Sequence, residues 1–196
     1  MLVFGDTNIQ VTIFFTIAQN STEYCIKMDI LKISTDWAKA ELVSTSFFII
    51  AGLVFVMCSF GFWQFGKTDL AKAYIIPILV AGAFLMTVGF GLFFTNKARI
   101  TQFETAYNED VSAFVASEMA RTESTLKEYK TVVFTAIPFI IMACGLVIFL
   151  VNTPGWRAGM ISTIAMLSVI LLIDGLAYAR IADYQQELIK VEQELK

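Results

Sequence analysis

Between Glu41 and Lys67, between Lys72 and Lys97, and between Lys130 and Arg157 the sequence has no charged residue. Each stretch is longer than the roughly 20 apolar residues that an α-helix needs to cross a bilayer core about 30 Å thick. A fourth apolar run begins after Arg157 and meets Asp174 before it reaches that length, so it spans only by including the carboxylate near one end. The pattern predicts an all-α polytopic membrane protein. Its transmembrane domain runs over about 34–178, with spans at about 42–65, 73–96, 131–151 and 156–178, a helical loop over about 97–130, and a C-terminal amphipathic helix over about 179–196.

The segment before residue 34 has a different rhythm. Ile9, Val11, Ile13, Phe15 and Ile17 alternate with Gln10, Thr12, Phe14 and Thr16, and Tyr24, Ile26, Met28 and Ile30 alternate with Cys25, Lys27 and Asp29. Period two on both sides of Gln19-Asn20-Ser21-Thr22 predicts a small β-hairpin, with Leu2 to Phe4 as a third strand. A sheet that small is marginal alone and must rest on the helices, on a neighbour or on the membrane surface. Ser34-Thr35-Asp36 supplies N-cap residues for the first spanning helix.

In the loop, the absence of Gly and Pro between Gly91 and Pro138 predicts that the second and third spans extend out of the membrane as helices. Asn108-Glu109-Asp110 is the best place for them to turn back, and a second bend is expected near 122–125, where Thr125 and Glu128 have capping-box spacing. Val111, Val115, Met119, Thr122, Leu126 and Tyr129 form an apolar stripe on the longer arm. Pro77 and Pro138 fall near span ends as packing kinks. Ala83, Thr87, Gly91 and Thr95 make a small-residue stripe down the second span, which predicts close approach of another helix within the subunit or between subunits.

Composition agrees with a lipid-embedded chain: 57% hydrophobic and only 16% charged residues. With four crossings, all but Lys67, Lys72 and Arg157 of the 14 basic residues fall on one side, which predicts cytoplasmic termini and, in a bacterium, the inner membrane. Trp37 and Trp63 stand about 39 Å apart at 1.5 Å per helical residue, which suits anchors at the two interfaces.

Candidate chemistry is sparse. There is no histidine, the three cysteines are not arranged as a disulfide framework, and no phosphate-binding glycine loop or Cys-x-x-Cys occurs. An enzyme, a cofactor and a metal site are therefore not expected, and a net charge of −3 with mixed local charge gives no nucleic-acid surface. The expected partners are the lipid bilayer and either further copies of the chain or another protein.

The tail offers the one constellation with functional content. Ala177, Ile181, Tyr184, Leu188, Val191 and Leu195 recur at spacings of four and three, a coiled-coil seam whose register extends back to Asp174. If tails associate about a symmetry axis, the aspartates form a ring near the cytoplasmic mouth of a homo-oligomeric cation channel or transport-type protein. If the tail packs on the 111–129 stripe of its own chain, Asp174 pairs with Arg180, Lys97 or Arg99 as a structural ion pair. The alternative function is a non-conducting accessory, immunity or sensing protein that binds a partner through its cytoplasmic face.

Overall fold

The computed structural model describes the backbone of residues 6–194 and the side chains of residues 29–193. Helix α1 (Asp6–Phe65) is followed by the short α2 (Asp69–Ala73), then α3 (Ile75–Glu109), α4 (Val111–Glu128), a π-helical segment (Tyr129–Ala136), α5 (Ile137–Leu150) and α6 (Pro154–Glu194). Four helical stretches, Asp29–Phe65, Asp69–Glu109, Val111–Leu150 and Pro154–Gln193, are long and apolar enough to cross a membrane. The turns at 66–68 and 151–153 lie at one end. The opposite end, the base, is built from the start of the described α1 side chains, the α3–α4 junction and the end of α6.

No strand occurs among the described residues, so the β-hairpin is corrected to helix: α1 runs unbroken from Asp6 through both proposed strands and the turn between them. The physical reason lies in the turn, which has neither Gly nor Pro; none occurs from Asp6 to Ala51. Ile9, Ile13 and Ile17, like Ile26 and Ile30, are also four apart, so the same residues satisfy helical spacing. The third strand, Leu2 to Phe4, lies outside the described residues. Ser34 is not an N-cap but a mid-helix residue whose hydroxyl donates to the Ile30 carbonyl at 2.8 Å.

Helix α3 ends where expected, at Asp110, whose extended backbone breaks the helix. Its Oδ1 then caps α4 by accepting from the amides of Ser112 and Ala113 at 2.9 and 3.1 Å. The second bend at 122–125 is absent, because α4 runs on to Glu128. The helix instead widens from Tyr129, and the amide of Ile137 reaches Val132 O. Pro138 brings no N–H to the next turn, so a register shift just before it leaves no donor misplaced. Pro77 sits in the first turn of α3, where its missing N–H costs nothing.

Two kinds of packing hold these helices. The base has a water-side hydrophobic core of Ile30, Trp37 and Ala38 from α1, Phe103 from α3, Phe114 and Val115 from α4, and Ile181, Tyr184, Leu188 and Val191 from α6. Each such side chain contributes about 1.5–3 kcal/mol on leaving water. Lipid offers no such drive between the spans, so close contact must hold them together. That contact is between α1 and α3, where a Cβ added to Gly82 would stand 2.8 Å from the Gly52 carbonyl oxygen and one on Gly89 2.9 Å from Phe48 Cβ.

The small-residue face expected on the second span is not the one used within the subunit. Ala83, Thr87, Gly91 and Thr95 are exposed, nothing lies within 4 Å of a Cβ built at Gly91, and Thr87 and Thr95 hydroxyls bond back to Ala83 and Gly91 carbonyls. The contact face lies beside it, through Ala81, Gly82, Leu85 and Gly89. Small residues permit close approach, but the helix turns toward its neighbour the face on which Phe48, Leu85 and Ile173 also bury themselves.

Candidate functional site

On α1 the residues Ile30, Ser34, Trp37, Glu41, Ser44, Thr45 and Phe48 follow helical spacing and all are buried. One face of the helix thus carries an apolar core with polar groups set into it, which is tolerable only where those groups find partners. Most do, with partners from α6 and from carbonyls of α1 itself.

Arg180 on α6 donates through Nε to Glu41 Oε1 at 3.1 Å and through a second nitrogen to Ser44 Oγ. Arg121 on α4 grips Glu118 through two hydrogen bonds, one of 2.9 Å from Nε to Oε1. Bidentate geometry of this kind is the strong form of an arginine–carboxylate pair. Glu118 also meets the Tyr184 hydroxyl at 3.0 Å, and that hydroxyl lies 2.8 Å from Ser34 Oγ. Because the Ser34 proton goes to Ile30, the single Tyr184 proton is shared between serine and carboxylate. Burial first, and the Glu118 charge next, push the Tyr184 pKa upward, so the phenol stays neutral.

Aromatic contacts tie the two networks together. Trp37 stacks on Tyr184 with centroids 5.0 Å apart, the Arg121 guanidinium lies 4.5 Å from the indole centroid, and Arg99 lies 5.8 Å from it. Arg99 donates to Asn96 Oδ1 at 3.0 Å and forms no ion pair among the described residues. Burial, then the neighbouring Arg121 charge, lowers its pKa from the ordinary value. The Trp37 indole N–H is buried without an acceptor among the described residues.

Of these groups Trp37, Glu41, Ser44, Asn96, Arg99 and Arg121 line a pocket of about 180 Å³ between α1, α3, α4 and α6, beside Tyr129. Trp37, Arg99, Arg121 and Ile181 lie toward the base; Phe48, Leu92 and Ile173 lie toward the spans. Phe48 and Ile173 belong, with Leu85, to an apolar cluster packed further by Ala51, Phe55 and Met166. Toward the spans the polar space therefore meets an apolar cluster.

Asp174 lines this pocket. It forms no hydrogen bond or ion pair among the described residues, and the expected pair with Arg180 is not made because Arg180 is taken by Glu41. Six residues at 100° each turn Arg180 about 120° away from Asp174 around the helix axis, so the two cannot share a face. The seam residues Ala177, Ile181, Tyr184, Leu188 and Val191 are buried inside the subunit, against α1, α3 and α4, with Met119, Leu126 and Tyr129 of the α4 stripe packed against the same core. Leu195 lies outside the described residues.

Glu41, Glu118 and Arg121 are not among the residues that the sequence pattern marks as a site, whereas it marks Trp37 as an interface anchor and Arg99 as a candidate partner of Asp174. A signal was present: Glu41 and Glu118 each fall on the apolar stripe of their helix, Glu41 four residues after Trp37 and Glu118 three after Val115. A charge on a core face demands a partner from another helix. No group of three or more His, Cys, Asp and Glu side chains able to hold a metal occurs among the described residues. The chain matches no protein-family model, no curated protein and no solved structure.

Proposed function

We propose that the chain is a non-enzymatic integral membrane protein with its base in the cytoplasm. It acts as a non-conducting module of the sensing or accessory kind, engaging a protein partner through that base. The observation that carries this reading is what lies beyond the charged pocket: on its span side Phe48 and Ile173 pack with Leu85 in an apolar cluster. An ion that reached Asp174 from the base would meet an apolar plug, and the cost of carrying a charge through such a plug is several kcal/mol. The basic residues of the base support its cytoplasmic placement.

A second reading, the homo-oligomeric cation path, has one observation behind it. The Ala83, Thr87, Gly91 and Thr95 face is open and suits close approach of another helix, so a path between subunits has a surface on which to assemble. Cation flux into liposomes separates the two. Impermeable vesicles support the non-conducting module; a flux that falls in Asp174→Asn supports the channel.

A further inference from the structure

The six charged side chains around the pocket are matched in number, but they are not all matched in space. Arg180 pairs with Glu41 and Arg121 with Glu118, which leaves Asp174 and Arg99 facing one pocket with neither in an ion pair. Two opposite charges that face one enclosed space and yet stand outside ion-pair distance are an incomplete electrostatic arrangement. Each is partly desolvated, and each lacks the counter-charge that would offset that cost.

From this geometry we infer that the pocket binds a small soluble zwitterion, with its ammonium at Asp174 and its anionic end at Arg99. The inference deepens the sensing reading by naming what is sensed, and it rests on the same pocket. Three features of the site support it. The end near Arg99 is rich in donors: the amide oxygen of Asn96 already accepts from Arg99, so its nitrogen remains to donate, and Arg121 adds a second positive charge. Asp174 shares the pocket with Thr45, whose hydroxyl oxygen suits an ammonium, and with Glu41, whose charge is already paired with Arg180. The volume, about 180 Å³, admits a molecule of a few heavy atoms.

The order of the charges also selects the source of the ligand. Asp174 is the charge nearest the spans and Arg99 lies toward the base. A zwitterionic phospholipid entering from the bilayer carries its phosphate deep and its ammonium outward, the reverse order. A soluble zwitterion lying with its ammonium toward the spans fits the order observed.

The test uses the full-length protein in nanodiscs and a series of probes of increasing charge separation: glycine, 4-aminobutyrate and 6-aminohexanoate. Butyrate and butylammonium, each with one charge, are the controls. Calorimetry and thermal melting should show one zwitterion that binds saturably and about tenfold or more tighter than either control, because both ends are read. Asp174→Asn and Arg99→Gln should each weaken it by about tenfold or more. If no zwitterion binds, if a single-charge control binds as tightly, or if binding survives Asp174→Asn, the inference is overturned and the pocket holds only water. Ion flux measured on the same preparation bears on the closed subunit alone, so the two readings fail separately.

Discussion

Arg180 donates to Glu41 across 3.1 Å, while Asp174, six residues earlier on the same helix, lines the pocket with no ion pair of its own. The bridge crosses from α6 to α1 at the level where the spans meet the base. It therefore fixes both the angle at which the last helix leaves the bundle and the charge that the pocket presents.

Removing one partner of that bridge strands the other. Glu41→Gln should destabilise the protein by about 1–2 kcal/mol, well below the 3–5 kcal/mol of a fully buried pair, because the Arg180 side chain is 30% exposed and reaches water. Detergent melting of Glu41→Gln, Arg180→Gln and the double variant checks this. The double variant should be less destabilised than the sum of the singles.

Tyr184 tests the network at the centre of the base. Tyr184→Phe keeps the stack on Trp37 but removes the proton shared by Ser34 and Glu118, and we expect a loss of about 1–2 kcal/mol. Tyr184→Ala also empties the core and should lose about 3–5 kcal/mol. A Tyr184→Phe variant as stable as the wild type would show that the hydroxyl is idle.

The spans give a paired test on glycine. Gly82→Ala forces a methyl against the Gly52 carbonyl oxygen and Phe55 Cβ and should cost about 1–3 kcal/mol. Gly91→Ala meets nothing within 4 Å and should be neutral or stabilising by up to about 1 kcal/mol. Thermal melts of the two variants in one detergent suffice. A destabilised Gly91→Ala would mark that face as a contact between subunits.

At acid pH the cap of α4 should loosen. Hydrogen bonds from the Ser112 hydroxyl and the Ala113 and Ser112 amides hold the Asp110 pKa below its ordinary value of 3.8. A depressed folded-state pKa stabilises the folded form above 3.8 and loses that contribution as pH falls through the lower folded value. Amide exchange in the first turn of α4 should therefore rise at low pH in the wild type. In Asp110→Asn it should be pH-independent beyond the intrinsic exchange rate.

The spans were readable from sequence because span length and absence of charge are one-dimensional properties. The hairpin was misread because alternation and helical spacing coincide at every fourth residue, so Ile9, Ile13 and Ile17 cannot separate the two periods. What decided it was a breaker that the proposed turn at 19–22 lacks. Of the pocket, Asp174 was visible because it interrupts an apolar run. Arg99 was visible only as one of three candidate partners, and Glu41 and Arg121 were not, because they come from helices whose order in space no local pattern states. The tail carries an apolar stripe at coiled-coil spacing, but a stripe does not name its partner, and among the described residues Ile181, Tyr184, Leu188 and Val191 pack on the chain's own α1, α3 and α4.

Whether Asp174 faces its own subunit or a neighbour's can be measured on one gel. With Cys25, Cys58 and Cys144 replaced by alanine, the Asp174→Cys variant is treated in membranes with a short bifunctional thiol cross-linker. A pocket enclosed within the subunit should leave the protein migrating as a monomer, while a second cysteine placed at Ser44, which lines the same pocket, should give an internal cross-link. A ladder of cross-linked oligomers from Asp174→Cys alone would put the aspartate at a symmetry axis and contradict the enclosed site.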